Sequence, residues 1–167
     1  MFHFIYIQPL PLIALAIIAS ICLWYLINKY HKKYSKVLNI VLLVISIIGI
    51  VYCTLLRNGK GNNYYIELRP LYSFVLAKTQ KEYYREMLMN VFLFVPLGLS
   101  LPFVIDINKH KYITIVLTIL IGLLMSITIE YLQYYYHIGN VEIDDVIMNT
   151  IGVIVGSISY IISKRNI

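Results

Sequence analysis

Charge is scarce in this chain. Only 13% of its 167 residues are Asp, Glu, Lys or Arg, against 60% hydrophobic, and the mean hydropathy is +0.77. A water-soluble domain of this length needs more polar surface to cover itself. The charges also cluster between long apolar runs instead of spreading along amphipathic helices, so a soluble domain is excluded. Acidic residues are the scarcer sign, eight against fourteen basic, for a net charge of +6. The Lys and Arg flank apolar segments. That placement fits attraction to anionic lipid headgroups, and no nucleic-acid partner is expected.

Cysteine is nearly absent. Cys22 and Cys53 lie inside apolar runs and read as small buried hydrophobes, which excludes a disulfide framework or a cysteine metal pair. The chain has no HExxH, no phosphate-binding loop, no CxxC and no nucleophile beside a base. Neither a cofactor nor a metal is expected. Residues 1–8 hold no Lys or Arg, so the positive n-region of a secretory signal is missing. The apolar run continues past Ala14-Leu15-Ala16 to Leu26, and the expectation is a retained first helix.

What the sequence does have is apolar length. Five segments qualify as spans, at about 9–28, 37–56, 87–105, 113–134 and 146–162. About 20 residues at about 1.5 Å each cross the roughly 30 Å hydrocarbon core. The expected fold is all-α: a polytopic integral membrane helix bundle of about five transmembrane helices, forming a single membrane domain over 1–167. Pro9 and Pro11 suit a first helical turn. The third span holds Pro96, Gly98 and Pro102, and Pro96 predicts a kink.

With five spans, three segments share one side: 29–36 with four Lys and His31, 106–112 with Lys109 and Lys111, and the tail with Lys164 and Arg165. They collect eight Lys and Arg, against six in the 57–86 loop. Positive-inside counting puts the N-terminus outside and the 57–86 loop outside with it. Tyr83, Tyr84, Tyr134, Tyr135 and Tyr136 then fall at the outer ends of spans, as an interfacial belt would. Within the loop, residues 64–74 are rich in apolar and aromatic side chains. They are expected to lie on the membrane surface or dip back into the bundle.

The polar residues inside the spans fall into stripes. Asn90 lies one turn after Glu86, with Arg85 beside them. In the fourth span Gly122, Ser126, Glu130 and Gln133 recur at helical spacing, and in the fifth Asp145, Asn149, Gly152 and Gly156 do the same. Both stripes carry small residues at one end and polar residues at the other. The expectation is that the two spans pack antiparallel through them, joined by the short 137–144 loop with Glu142 and Asp144. Glu130 would then meet Asp145 and accept from Asn149. The proposed polar cluster is Arg85, Asn90, Glu130, Gln133, Asp144, Asp145 and Asn149. The helix-packing set is Gly122, Ser126, Gly152 and Gly156.

Plainer readings stand beside this one. Each Asn can be an interhelical hydrogen-bonding residue, Asp144 and Asp145 can be the favourable first turn of a helix, the GxxxG of Gly152 and Gly156 can be packing alone, and His137 can be a solvated loop residue. Glu130 is the hardest to dismiss, since an ionisable group at a span centre costs about 2.5–3.5 kcal/mol.

These residues also carry a resemblance. Asn90-Val91-Phe92-Leu93-Phe94-Val95-Pro96-Leu97-Gly98, then Glu130-Tyr131-Leu132-Gln133, then Asp144-Asp145-Val146-Ile147-Met148-Asn149 with Gly152 and Gly156, resemble the VanZ family of small membrane proteins. Arg85-Glu86-Met87 and Tyr52-Cys53-Thr54-Leu55-Leu56 resemble it too, so the likeness covers about 52–156. Two places depart from the family pattern. Glu67-Leu68-Arg69-Pro70-Leu71 stands where many members have Asn-Leu, a variable residue and Pro-Phe. Gly139-Asn140 stands where many have Gly-Arg, which leaves Arg85 or Arg69 as the counter-charge for Glu130 or the aspartates.

The resemblance implies lowered susceptibility to lipoglycopeptides such as teicoplanin, in the multi-pass cell membrane of a Gram-positive bacterium. Three function classes remain open. One is non-enzymatic binding or remodelling at the outer leaflet, with membrane lipid, a glycopeptide antibiotic or a cell-wall precursor as candidate partner. Another is an enzyme acting on a lipid-linked or wall substrate through Glu130 and Asp145, as acid and base or around a divalent cation with Glu142 and Asp144. The last is a packing scaffold for another membrane protein.

Overall fold

The computed structural model describes residues 10–30, 32–56, 64–107 and 110–163. Pro9, His31, Arg57, Lys60, Lys109, Lys164 and Arg165, which enter the span and charge arguments, lie outside the described residues, as does the 1–8 segment. Six helices are described: α1 (Leu10–Tyr30), α2 (Lys32–Val51), α3 (Tyr72–Ala77), α4 (Glu82–Ile105), α5 (Lys111–Tyr136) and α6 (Ile143–Ser163). A π-helical turn, Tyr52–Leu56, closes α2, and two short strands, β1 (Ile66–Glu67) and β2 (Val141–Glu142), pair in parallel. Among the described residues four helical segments are long and apolar enough to cross a membrane: Ser35–Leu56, Glu82–Ile105, Lys111–Tyr136 and Ile143–Ser163. Helices suit such sequences because in lipid every backbone N–H and C=O must find its partner within the segment. Pro11 lies in the first turn of α1. Helix α4 is continuous through Pro96 and Pro102, and Ser100 Oγ donates to the Pro96 carbonyl at 2.9 Å.

The inner helices are α4 and α6. Half of the apolar stretch of each is buried, against 28% for α5 and 17% for α2 with its π turn. Two packed clusters flank α4. One holds Ala77, Met87, Val91, Val95, Leu99 and Met148, and the other holds Ile50, Phe94, Leu97, Leu101, Ile129 and Val153.

Glycine sets how close α4 and α6 come. A Cβ at Gly98 of α4 would sit 2.2 Å from the Val153 carbonyl oxygen of α6. A Cβ at Gly152 would sit 2.3 Å from the Val91 carbonyl oxygen, and one at Gly156 2.3 Å from that of Val95. No side chain fits at these places, so the two backbones touch directly.

This corrects the expected pairing. The Gly152 and Gly156 stripe of α6 faces α4, not α5. Helix α5 still packs on α6, but by a different fit: Gly122 receives the Val153 side chain, whose Cγ2 would lie 2.5 Å from an added Cβ. Val153 is completely buried because its carbonyl serves one neighbour and its isopropyl group the other. Spacing places residues on one face, but a narrow stripe can serve only one neighbour, and α6 has two.

Helices α1 and α2 form a hairpin closed by a polar network. Trp24 Nε1 donates to Asn39 Oδ1 at 2.9 Å, Asn39 Nδ2 donates to Asn28 Oδ1 at 2.7 Å, and Ser35 Oγ also donates to Asn28 Oδ1. Asn39 is fully buried, and every bond it makes removes a polar group from lipid. At the far end of α6, Tyr160 donates to Asp106 at 2.6 Å and meets the Phe103 ring edge-on. Cys22 is exposed on its helix, which corrects its reading as buried, and Cys53 is half-buried; both are free thiols. Tyr84, Tyr134, Tyr135 and Tyr136 are exposed, whereas Tyr83 packs against the first cluster.

Gly98→Ala, Gly152→Ala and Gly156→Ala are each expected to destabilise by about 1–3 kcal/mol, because an added methyl collides with a backbone carbonyl. Gly49→Ala, with nothing within 4 Å of its Cβ, is expected to be neutral or slightly stabilising. Thermal melting in detergent micelles checks this; equal melting temperatures across the four variants would contradict the packing described.

Candidate functional site

The site lies at the end of the bundle where α4 and α6 begin and α5 and the π turn end. Helix α5 stops there because His137 adopts a left-handed conformation, φ 55°, and its N–H returns to the Gln133 and Tyr134 carbonyls. Gly139, φ 66°, continues the turn, and the chain extends into β2. Val141 N–H then donates to the Tyr65 carbonyl at 3.1 Å, which draws the 64–81 segment onto the bundle end. His137 is exposed, yet its ring packs against Tyr64 with centroids 5.0 Å apart.

Three carboxylates fasten this segment. Glu130, 8% exposed, accepts the Glu142 N–H on Oε2 at 3.0 Å. Glu142 accepts the Tyr65 hydroxyl on one oxygen and Ser73 Oγ at 3.3 Å on the other. Asp144, 2% exposed, accepts the Leu71 N–H on one oxygen and the Ser73 N–H at 2.7 Å on the other. Leu71 has φ 62°, and this turn aims the first amides of α3 at Asp144. An ionised acceptor makes such hydrogen bonds roughly twice as strong as neutral ones. Asp144 therefore does more than begin α6: it also holds α3, about 70 residues earlier in the chain.

Asp145 points the other way. It is hydrogen-bonded by Asn90 of α4 and lies in the field of Glu142, Glu86 and Asp144. Asp145 is also close enough to act on the Glu130 carboxyl. Glu86, Glu130, Glu142, Asp144 and Asp145 thus share one electrostatic neighbourhood, with Arg85 acting on Glu86. Arg69 is not the counter-charge for Glu130 or the aspartates. It pairs with Glu67, donating from Nε at 2.8 Å, and lies 3.6 Å over the Tyr72 ring. That pairing holds Glu67 down to about 2. Burial, and then the Glu142 carboxylate it donates to, pushes the Tyr65 hydroxyl far above its usual range.

The structure therefore joins Asn90, Glu130, Asp144 and Asp145 of the expected set, and adds Glu86, Glu142, Tyr65 and Ser73. Arg85 acts on Glu86 at the edge of this group, and Asn149 and Gln133 are separated from it. Asn149 donates to Ser126 Oγ at 2.8 Å, not to Glu130, and Gln133 donates to the Thr54 carbonyl of the π turn at 3.2 Å. Each leaves its amide oxygen buried with no hydrogen-bond partner among the described residues, as does the Tyr64 hydroxyl. Tyr65 and Ser73 carried no periodic signal, because they act from a loop across more than sixty residues of chain. Among the described residues no group of three or more His, Cys, Asp or Glu is arranged to hold a metal ion, so the cation-holding alternative finds no ligand set there.

Beside Glu130 a cleft of about 390 Å³ opens between α5, β1 and the start of α6. Its walls are Ile66, Leu68, Ile127, Tyr131, Tyr134, Val141, Ile143 and Val146; Glu130 and Glu142 border it, and the surface it presents is almost wholly apolar. That volume lies in the range of small-molecule sites.

The VanZ/LLP1 family model matches residues 12–164. Protein VanZ of Enterococcus faecium is 36% identical over 83 residues, covering 50% of this chain and 48% of that protein, so the match spans about half of the relative's length. No solved structure matches. The family match runs from the first turn of α1 past the end of α6 and takes in all of the carboxylates at the loop end, and the chain belongs to the VanZ/LLP1 family.

Proposed function

We propose that this protein lowers the susceptibility of a Gram-positive bacterium to lipoglycopeptide antibiotics such as teicoplanin, by non-enzymatic binding or remodelling at the outer leaflet of the cell membrane. Family membership and the VanZ relative support the resistance role. The observation that carries the site is Glu130: a carboxylate 8% exposed, fixed by one oxygen to the Glu142 backbone, and set beside an apolar cleft. An ionisable group kept in so apolar a setting is costly, and such residues are commonly functional. Asp144 and Glu142 have both oxygens engaged in holding the loop, which favours a rigid binding surface over acid–base chemistry.

Expression in a susceptible host is expected to raise the teicoplanin inhibitory concentration. Glu130→Gln keeps an acceptor for the Glu142 N–H but removes the ionisable carboxyl; it should reach the membrane in normal amount and lose the effect. An unchanged inhibitory concentration, with the wild-type protein confirmed in the membrane, would overturn the resistance role. Full activity of Glu130→Gln would make the carboxylate structural.

The same proposal includes five spans, with α1 as the first, and an orientation with the N-terminus and the carboxylate end outside. The distribution of Lys and Arg supports it. Ser35 is tied into the α1–α2 network, so Lys36 is the cleaner reporter for the opposite end. With Cys22 and Cys53 replaced by Ala, Thr79→Cys should react with an impermeant maleimide in intact cells. Lys36→Cys should react only after permeabilisation. The reverse pattern would invert the orientation.

A further inference from the structure

Helix α3 is packed inside out. Its small residues, Ser73 and Ala77, lie one turn apart and are buried against the bundle, where Ala77 packs in one cluster with Met87 and Val91 of α4. Its larger apolar residues face away. Val75 is 54% exposed, and Phe74 and Leu71 are exposed with it. A helix on a protein surface in water shows the reverse, with large apolar side chains inward and small or polar ones outward. The strand before it behaves alike: Leu68 is 66% exposed, and Ile66 is exposed too.

The segment cannot roll these side chains under itself. Asp144 accepts the Leu71 and Ser73 N–H groups, and Glu142 accepts Ser73 Oγ and the Tyr65 hydroxyl. Its polar atoms are thus spent on the inner side, and its apolar side chains are left outward. Exposed apolar groups gathered in one place mark a surface that meets something apolar.

What covers them follows from what they adjoin. Ile66 and Leu68 form one wall of the apolar cleft, and the opposite wall is Ile127 and Tyr131 of α5, both exposed. Helix α5 is long and apolar enough to cross a membrane, and its exposed face continues from Ile127 to Leu124 and Leu120. Lipid that covers this face reaches Ile66 and Leu68 without interruption. Charge agrees with that surrounding. The 64–81 segment carries Arg69, Lys78 and Lys81, all exposed, against Glu67 alone. Such side chains keep their stems on apolar surface and carry their charge to headgroup level.

We infer that the 64–81 segment is a foot set in the headgroup layer of the leaflet at this end of the bundle. Leu68, Leu71 and Val75 enter the apolar boundary of that layer, and Lys78 and Lys81 lie among the lipid phosphates. Lipid chains fill the cleft between Ile66 and Ile127. The inference goes beyond the resistance role and holds for either orientation of the chain.

Spin labelling tests this on the full chain, with Cys22 and Cys53 replaced by Ala, in nanodiscs of phosphatidylcholine and phosphatidylglycerol. Single labels are placed through Leu68→Cys, Val75→Cys, Thr79→Cys and Leu124→Cys, all at exposed positions. Collision with dissolved oxygen, which concentrates in lipid, is compared with collision with a water-soluble nickel chelate. The oxygen-to-nickel ratio at Leu68 and Val75 is expected to be several-fold above that at Thr79 and to approach that at Leu124. With the label at Leu68, Val75→Asp removes one inserted apolar side chain. It should shift the segment from inserted toward withdrawn by at least about tenfold, read as a fall in the Leu68 ratio. The Leu124 ratio should not change.

Ratios at Leu68 and Val75 equal to that at Thr79 would place them in water and overturn the proposal. Low collision with both oxygen and nickel would show a covering of protein, from a second copy or another chain, and would overturn it as well. So would a Leu68 ratio unmoved by Val75→Asp. No antibiotic enters the experiment, so its outcome is separable from that of the resistance role.

Discussion

The close contact of α4 with α6 is the constraint on which the rest of the structure depends. In lipid there is no water to drive helices together, so association rests on how closely backbones can approach. Gly98, Gly152 and Gly156 let carbonyls of one helix lie against the Cα atoms of the other. Val153 then extends the contact to a third helix by fitting its side chain to Gly122 of α5. Helix α6 is thereby fixed on two sides, and so are the groups at its start. Asp145 meets Asn90 on α4, Asn149 meets Ser126 on α5, and Asp144 is left facing the loop.

From that fixed start the 64–81 segment takes its shape. Asp144 captures two amides at the head of α3, Glu142 captures a tyrosine and a serine, and Glu130 holds the β2 backbone. The acidic residues are few in the whole chain, yet five of the eight gather here. Like charges so close repel, and the arrangement persists because backbone and side-chain donors meet them. Among these carboxylates Glu130 is the one that holds the loop through a single oxygen while bordering an apolar cleft, whereas Asp144 uses both oxygens as an anchor.

Much of this was legible in the sequence. Apolar length gave the membrane helices, and helical spacing picked out Glu130, Asp145, Asn149, Gly122 with Ser126, and Gly152 with Gly156. Which helix each stripe would face was not legible. Gly98 sits among Leu and Pro residues with no periodic partner, so its role as the seat for Val153 carried no signal of its own. The α1–α2 network of Trp24, Asn28, Ser35 and Asn39 passed unnoticed because its members read as isolated polar residues near helix ends. The β1–β2 ladder is only two residues long, far too short for an alternating pattern, and depends on the turn after α5 for its existence. Arg69 looked like a counter-charge by elimination, yet its nearest carboxylate, Glu67, lies two residues away in the same loop.

The central claim is that helix packing deep in the bundle and order in the loop are one system, joined through the first turn of α6. Hydrogen exchange measured by mass spectrometry on the full chain in nanodiscs tests it directly. The amides of Leu71 and Ser73 should be protected in the wild type, and Asp144→Ala should expose them locally. Gly152→Leu, which lies two turns away and touches no loop residue, should expose them as well. Undiminished protection of those amides in Gly152→Leu, with the α4–α6 contact shown to be loosened, would contradict the account.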